Sequence, residues 1–442
     1  MDFRRVAAAI CLAPPCCPCL AEPPRLVHAA PDHADAGVDP ATSELRFEFD
    51  QDMRGGRSIC GGGPNFPPIA GEIVWESSRV LVVPVKLEPG RTYEFSLNCP
   101  AATNFRSVDG EPLVPTPMRF TTARAGEAPT PPVAMTEEKA RAGLDALRRA
   151  IDERYSYRDL RVPDWSGVFG AHERRVLGAP TRAAFARACA ELLSAAGDVH
   201  MSLRIGDAWF PTHRADVRPN ADIKRLERAV PGWKAHGRHI ATGRFEDGIG
   251  YIAVFSWAGV HADFEPAFEA LDAMKDAPAI VVDARFNSGG DEVLARSFAE
   301  RFVAQRTVYS KNRCRDPSSP AGWTEVYDRV VEPSAASVAF RGKAVVLIGG
   351  ACMSSNESFI AMMKHGAGAT LVGETTYGSS ANPKPVELAD TGVTLVCPSW
   401  EDRLPDGTVL EGGGIKPDVR AEWNGGPGDP VLGKALELLR QN

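Results

Sequence analysis

Alternation of apolar and polar positions dominates the first third of the chain and then gives way to a longer period. Short period-2 runs occur at Glu44–Asp50, Arg79–Pro84, Thr92–Leu97 and Met118–Thr122. They are separated by Pro and Gly turns such as Pro89-Gly90, which predicts an all-β domain over residues 23–124. A Pro-rich stretch from Gly126 to Pro132 predicts a linker over 125–135. From Thr136 the apolar positions Ala140, Leu144, Leu147, Ile151 and Tyr155 fall at helical spacing. A second helix is expected from Thr181 to Ala195, so residues 136–203 read as a small helical domain ending in Gly197-Asp-Val-His-Met-Ser-Leu203. Residues 204–247 read as a connecting segment. Over 248–442 buried strands (249–255, 279–283, 344–348, 369–372, 393–396) alternate with helices expected at 264–275, near 292–304 and after Ser355. That alternation predicts an α/β core.

A chain of 442 residues is long enough for two or three domains, as the pattern suggests. Hydrophobic content of 44% and charged content of 24% are those of a globular protein. A net charge of −7, with no basic run carrying interleaved aromatics, gives no reason to expect a nucleic-acid partner. Met1–Arg5 is a short basic start, and Val6–Ala13 is an apolar run too short to span a bilayer. Together they read as an export signal over 1–22, so a periplasmic or extracellular location is expected. A lipid anchor is left open, although Ala13-Pro-Pro before Cys16 fits a lipobox poorly. No later stretch reads as an integral membrane segment. Of ten cysteines, four belong to that leader. Cys60 and Cys99 share the β domain and are the pair expected to bond in an oxidising compartment. The histidines and cysteines show no metal-ligand spacing, and neither a metal nor a cofactor is expected.

Four stations with chemical potential stand at element ends, where α/β folds place their sites. They are Asp198-Val-His200; Asp283-Ala-Arg-Phe-Asn-Ser-Gly-Gly290; Gly349-Gly-Ala-Cys-Met-Ser-Ser-Asn-Glu-Ser-Phe359; and Asp406 to Asp418, with Glu411 opening a run of glycines. Taken by itself, Ser354-x-x-Glu357 before an apolar helix reads as a capping box. A nucleophile at the same place is compatible with that cap, because unpaired N–H groups at a helix start suit a developing oxyanion.

Together the four stations resemble the peptidase family that includes the C-terminal (tail-specific) processing proteases and the tricorn core protease. The family's D-x-R-x-N-x-G-G turn stands here as Asp283, Arg285, Asn287, Gly289 and Gly290. Its S-x-x-E is Ser354 to Glu357, its V-G-E-x-T-x-G is Val372 to Gly378, and its E-G-x-G-I-x-P-D is Glu411 to Asp418. The resemblance runs from about Thr136 to the C-terminus and implies a ClpP/crotonase-like α/β core with Ser354 as nucleophile. Ser355 with Gly289 or Gly290 would be the backbone oxyanion donors. In one branch of the family a lysine directly after the last Gly of V-G-E-x-T-x-G is the base. Here that position is Ser379, and Lys384 and Lys364 are poor substitutes. The tricorn-like branch uses His with an orienting carboxylate, which implies His200 as base and Glu411 as its partner. The family's PDZ domain has no room between 204 and 247. The β domain resembles bacterial Ig-like domains, on Pro31 to Pro40 followed by Leu45 and Phe49. The expectation is an exported multidomain serine peptidase acting on peptides or unfolded proteins. A non-catalytic binding protein on the same fold, and an esterase with the same triad, are the alternatives.

Overall fold

A computed structural model describes residues 22–335 and 339–441. The basic start, apolar run and cysteines of the leader lie outside the described residues. The chain divides into two compact units, Met1–Val133 and Ala134–Asn442.

The first unit is all-β. One four-stranded sheet orders the strands Leu26–Ala30, Glu44–Phe49, Val80–Pro84 and Val74–Ser77, all antiparallel. The other orders Ala36–Val38, Thr116–Thr122, Thr92–Leu97 and Ile59–Cys60. Alternation does what period 2 requires: in Glu44–Phe49, Leu45, Phe47 and Phe49 are buried while Glu44 and Glu48 face solvent. Phe47, Phe49, Leu81, Tyr93, Phe95, Phe105 and Phe120 belong to one core cluster. Cys60 and Cys99 form a disulfide, with Cα atoms 6.2 Å apart.

The second unit is built on a seven-stranded sheet. Its order is Lys234–His236, Ile240–Arg244, Gly250–Val254, Ala279–Asp283, Lys343–Ile348, Thr370–Gly373 and Val419–Arg420. From Gly250–Val254 onward neighbouring strands are parallel. The central strands are buried throughout, and period 2 sends alternate residues to opposite faces. Ile280, Val282, Val346 and Ile348 meet the helices Glu265–Ala273, Glu292–Ala299 and Ser355–His365. Ala279, Val281, Val345 and Leu347 meet Ile223–Ala229 and Pro430–Arg440.

Two smaller sheets flank this one. The first orders Ala208–Pro211, Ser202–Ile205, Thr394–Cys397 and Lys384–Glu387; the second orders Tyr327–Val331, Thr307–Cys314 and Trp400–Arg403. These pairings revise two readings of the sequence. Residues 204–247 are not a connection: they supply two strands of the main sheet and one of a flanking sheet. The helices Glu137–Arg154, Trp165–Leu177 and Arg182–Leu193 are not a separate domain, since they lie within the same unit as the α/β core. Thr136 and Thr181 cap the first and third of these helices, and Asp164 caps the second. Among the described residues no helix is long and apolar enough to cross a membrane.

Candidate active site

The strand Lys343–Ile348 ends in the glycine-rich turn that leads into the helix Ser355–His365, and Ser354 stands at the junction. Its backbone is left-handed (φ +59°, ψ −133°), and its side chain makes no capping hydrogen bond. A serine in that region is strained, a condition that clusters at functional sites. The turn sends its hydroxyl away from the helix and toward His200, whose Nε2 lies 3.0 Å from Ser354 Oγ. Residue 200 follows the helical segment and precedes Ser202–Ile205, which pairs with Thr394–Cys397 of the core. Asp198 fixes the approach: it is fully buried, accepts the His200 backbone N–H at 2.9 Å and the Tyr155 hydroxyl at 2.8 Å.

The other ring nitrogen meets a residue the sequence reading had set aside. His200 Nδ1 lies 2.8 Å from Ser379 Oγ. Glu411 pairs instead with Arg161 and accepts the Ser380 N–H at 3.2 Å. Among the described residues no hydrogen bond joins Glu411 to His200. The carboxylate therefore stands behind the serine pair, one residue removed from the imidazole's partner. Burial pushes the Glu411 carboxyl upward, and the negative charge of Asp198 adds to that.

Glu357 also departs from its expected role. Instead of closing a capping box on Ser354, it is fully buried and accepts from the Thr376 hydroxyl, the Gly378 N–H (2.8 Å) and the Ser379 N–H (2.7 Å). Burial raises its carboxyl to about 7, against the pull of those three donors. The loop it grips carries Ser379, and Ser354 N–H returns a bond to Ser379 O at 2.7 Å. Nucleophile and imidazole partner are thus tied to one another through the backbone.

Opposite the helix start lies the turn after Ala279–Asp283. Asp283 and Arg285, both fully buried, pair beneath it, the guanidinium bonding Asp283 at 2.9 and 2.7 Å and the partly buried Asp429 at 3.0 and 2.8 Å. Asn287 Oδ1 accepts the Gly289 N–H at 2.8 Å, which removes that donor from oxyanion duty. The N–H groups of Gly290 and Ser355 have no hydrogen-bond partner among the described residues. Gly289, at φ +108°, is required here: a Cβ on it would come within 2.8 Å of Ser354 Cβ. The turn is pinned to the helix by Asn356, whose Nδ2 donates to Ala284 O (3.1 Å) and Asn287 O (2.9 Å), and by Ser355 Oγ on Gly290 O at 2.6 Å. Trp257 closes the far side, its indole N–H on Asn356 Oδ1 at 3.1 Å and its backbone N–H on Gly289 O at 2.9 Å.

The structure therefore brings together Ser354, His200, Ser355, Gly289 and Gly290, and leaves Glu411 behind Ser380. Tyr155, Tyr157, Arg161, Trp257, Asn356 and Ser379 were not picked out as site residues from sequence. Asn356 lies inside the Ser354–Glu357 motif and Ser379 at the missing lysine, so both had a positional signal. Tyr155 read only as an apolar position at helical spacing. Within residues 204–247, Trp209 is half exposed, while Trp233 packs on Tyr251 and Phe255.

A serine at a helix start, facing an imidazole and two unengaged N–H groups, is an arrangement for acyl transfer. Residues 248–421 match the family model of Peptidase family S41. The chain carries a serine-peptidase domain of the hydrolase class. The S41 match includes Ser354, Ser379 and Glu411 but stops short of His200. A proposed peptidase from Parabacteroides merdae has the same fold, at TM-score 0.58 and 21% identity over 68% of this chain and 96% of that one. A lipoprotein from Streptococcus agalactiae aligns at TM-score 0.49 and 14% identity, over 72% of this chain and 99% of its own. The photosystem II D1 C-terminal processing protease aligns at TM-score 0.42 and 14% identity, over 65% and 94%.

Proposed function

We propose that the chain is an exported peptidase that cleaves peptide bonds through an acyl-enzyme on Ser354, with His200 as general base and then general acid. The reading rests on one observation: the imidazole Nε2 sits 3.0 Å from the serine oxygen, across 154 residues of sequence. The neutral imidazole takes the Ser354 proton as Oγ attacks the scissile carbonyl, and later gives it to the leaving amine. The N–H groups of Gly290 and Ser355 hold the oxyanion. Ser379 takes the orienting place first assigned to Glu411, and Glu411 supports it through Ser380. In the base-competent tautomer Nδ1 carries the proton and donates it to Ser379 Oγ. The β unit serves as an Ig-like spacer or adhesion module.

Ser354→Ala is expected to abolish hydrolysis of unfolded protein and labelling by a fluorophosphonate, with melting unchanged. Hydrolysis that survives this change would refute the nucleophile assignment. Labelling without turnover of any peptide, combined with turnover of simple esters, would favour the esterase reading. Absence of both favours a binding protein. Ser379→Ala is expected to lower kcat by about 10²-fold with KM little changed, within the range a positioned base contributes. A rise in KM alone would remove Ser379 from the mechanism.

A further inference from the structure

Every backbone and side-chain polar group of the Ser379–Ser380 dipeptide is engaged. Ser379 N–H goes to Glu357, Ser379 O accepts from Ser354 N–H, and Ser379 Oγ meets His200 Nδ1. Ser380 N–H goes to Glu411, Ser380 O accepts the Tyr157 hydroxyl at 2.5 Å, and Ser380 Oγ donates to Asp402 Oδ2 at 2.5 Å. Asp402 lies on the strand Trp400–Arg403 in a flanking sheet, 3% exposed. It reaches Ser380 a second way, because its backbone N–H donates to the same Tyr157 hydroxyl at 3.1 Å.

The way this carboxylate is partnered is informative. Arg329 meets it only at long range, with Nη1 3.9 Å from Asp402 Oδ2 and without a hydrogen-bond partner among the described residues, while the guanidinium also pairs with Glu292. Asp402 spends its two oxygens on hydroxyls, Ser310 on Oδ1 and Ser380 on Oδ2. Because Asp402 Oδ2 is the acceptor, the single proton of the Ser380 hydroxyl points at it, which fixes that rotamer and the peptide preceding it.

We propose that Asp402 is a positioning residue for the active-site imidazole: through the Ser380 hydroxyl it holds the dipeptide whose other member, Ser379, contacts His200 Nδ1. The proposal deepens the peptidase reading above and rests on it for its kinetic consequence. It makes Ser380, a residue that touches neither serine nucleophile nor imidazole, part of the machinery.

The test is a double-mutant cycle of Asp402→Asn and Ser380→Ala, with Ser380→Thr as the conservative control, assayed on a fluorogenic peptide. Each single change is expected to lower kcat about tenfold or more with KM within about twofold, since small misplacements of a catalytic group are costly. The double variant is expected to be no worse than the worse single, because both break one link. Ser380→Thr, which keeps the hydroxyl, is expected to lose less kcat than Ser380→Ala, and an equal loss would count against the hydroxyl link. Additive losses, or losses appearing only in KM or in melting temperature, would overturn the proposal. A second readout does not depend on turnover: nitrogen-15 NMR of His200 in the Ser354→Ala protein. Asp402→Asn is expected to change the balance of Nδ1-H and Nε2-H tautomers, and an unchanged balance also overturns the proposal. If the native protein neither hydrolyses peptides nor takes the probe, the peptidase reading fails while the NMR result still decides whether Asp402 positions His200.

Discussion

At His200 the two ring nitrogens face different serines, and the charges around the ring decide the pH at which it can accept a proton. Burial lowers its pKa below the ordinary value of 6.5. The Asp198 carboxylate works against that shift, and the Arg161 guanidinium works with it. An imidazole with a lowered pKa stays neutral further into acid, and only the neutral ring can act as base. The acid limb of kcat/KM is therefore expected to have its midpoint below pH 6.5. A pH profile with that midpoint above 6.5 would mean another group controls the limb. At this scale the sequence was half legible. Ser354 and His200 stood in recognisable patterns, but nothing in the residue types told Ser379 and Glu411 apart as the imidazole's partner. A serine at a lysine position reads as an absence until its hydroxyl is seen 2.8 Å from Nδ1.

Among the elements, the helix Ser355–His365 and the turn after Ala279–Asp283 carry the site, and both are held by buried polar groups rather than by propensity. Ser354-x-x-Glu357 looks like a capping box because its spacing is that of one. The left-handed φ of Ser354 turns the side chain out of capping position, and Glu357 is drawn to the donors of the Thr376–Ser379 loop. Under the opposite turn, Arg285 neutralises both Asp283 and Asp429 with no exposure to solvent. Arg285→Met would leave two buried carboxylates without their cation, and a loss of about 3–5 kcal/mol is expected. Denaturant unfolding checks this, and a loss under about 1 kcal/mol would show that the cluster relaxes into water. Arg285→Lys is expected to recover little, since an ammonium cannot reproduce the paired, planar bonds.

For the whole molecule, the catalytic unit buries a carboxyl that resists ionisation, and linkage makes that a statement about stability. Burial raises Glu357 from 4.5 to about 7. Between those values the folded protein holds a proton that the unfolded chain has released, so this group's contribution is complete below pH 4.5 and is lost as pH rises through 7. The full change is about 3 kcal/mol at 1.36 kcal/mol per unit. Relative to Glu357→Gln, wild type is expected to be most favoured near pH 4.5, with the difference shrinking toward pH 7. Melting curves of both proteins across that range test it, and a difference that grows with pH would contradict the sign.

What the sequence determined by itself is whatever local spacing encodes. Period 2 marked the strands of the β unit, strand–helix alternation marked the α/β core, and ordered motifs marked Ser354 and the Gly289-Gly290 turn. The tertiary structure alone decided the pairings. Residues 204–247 looked like a connection because Lys234–His236 and Ile240–Arg244 are short strands, and sheet membership depends on partners in space. The helical segment is not a separate domain because its exit strand pairs with Thr394–Cys397, nearly two hundred residues on. That pairing sets His200 against Ser354, and the packing of Tyr157, Asp402 and Glu411 around Ser380 gives Ser379, not a carboxylate, the contact with the ring. Side-chain direction at such a site follows from which buried donors and acceptors must find one another, and that is settled only when distant segments pack.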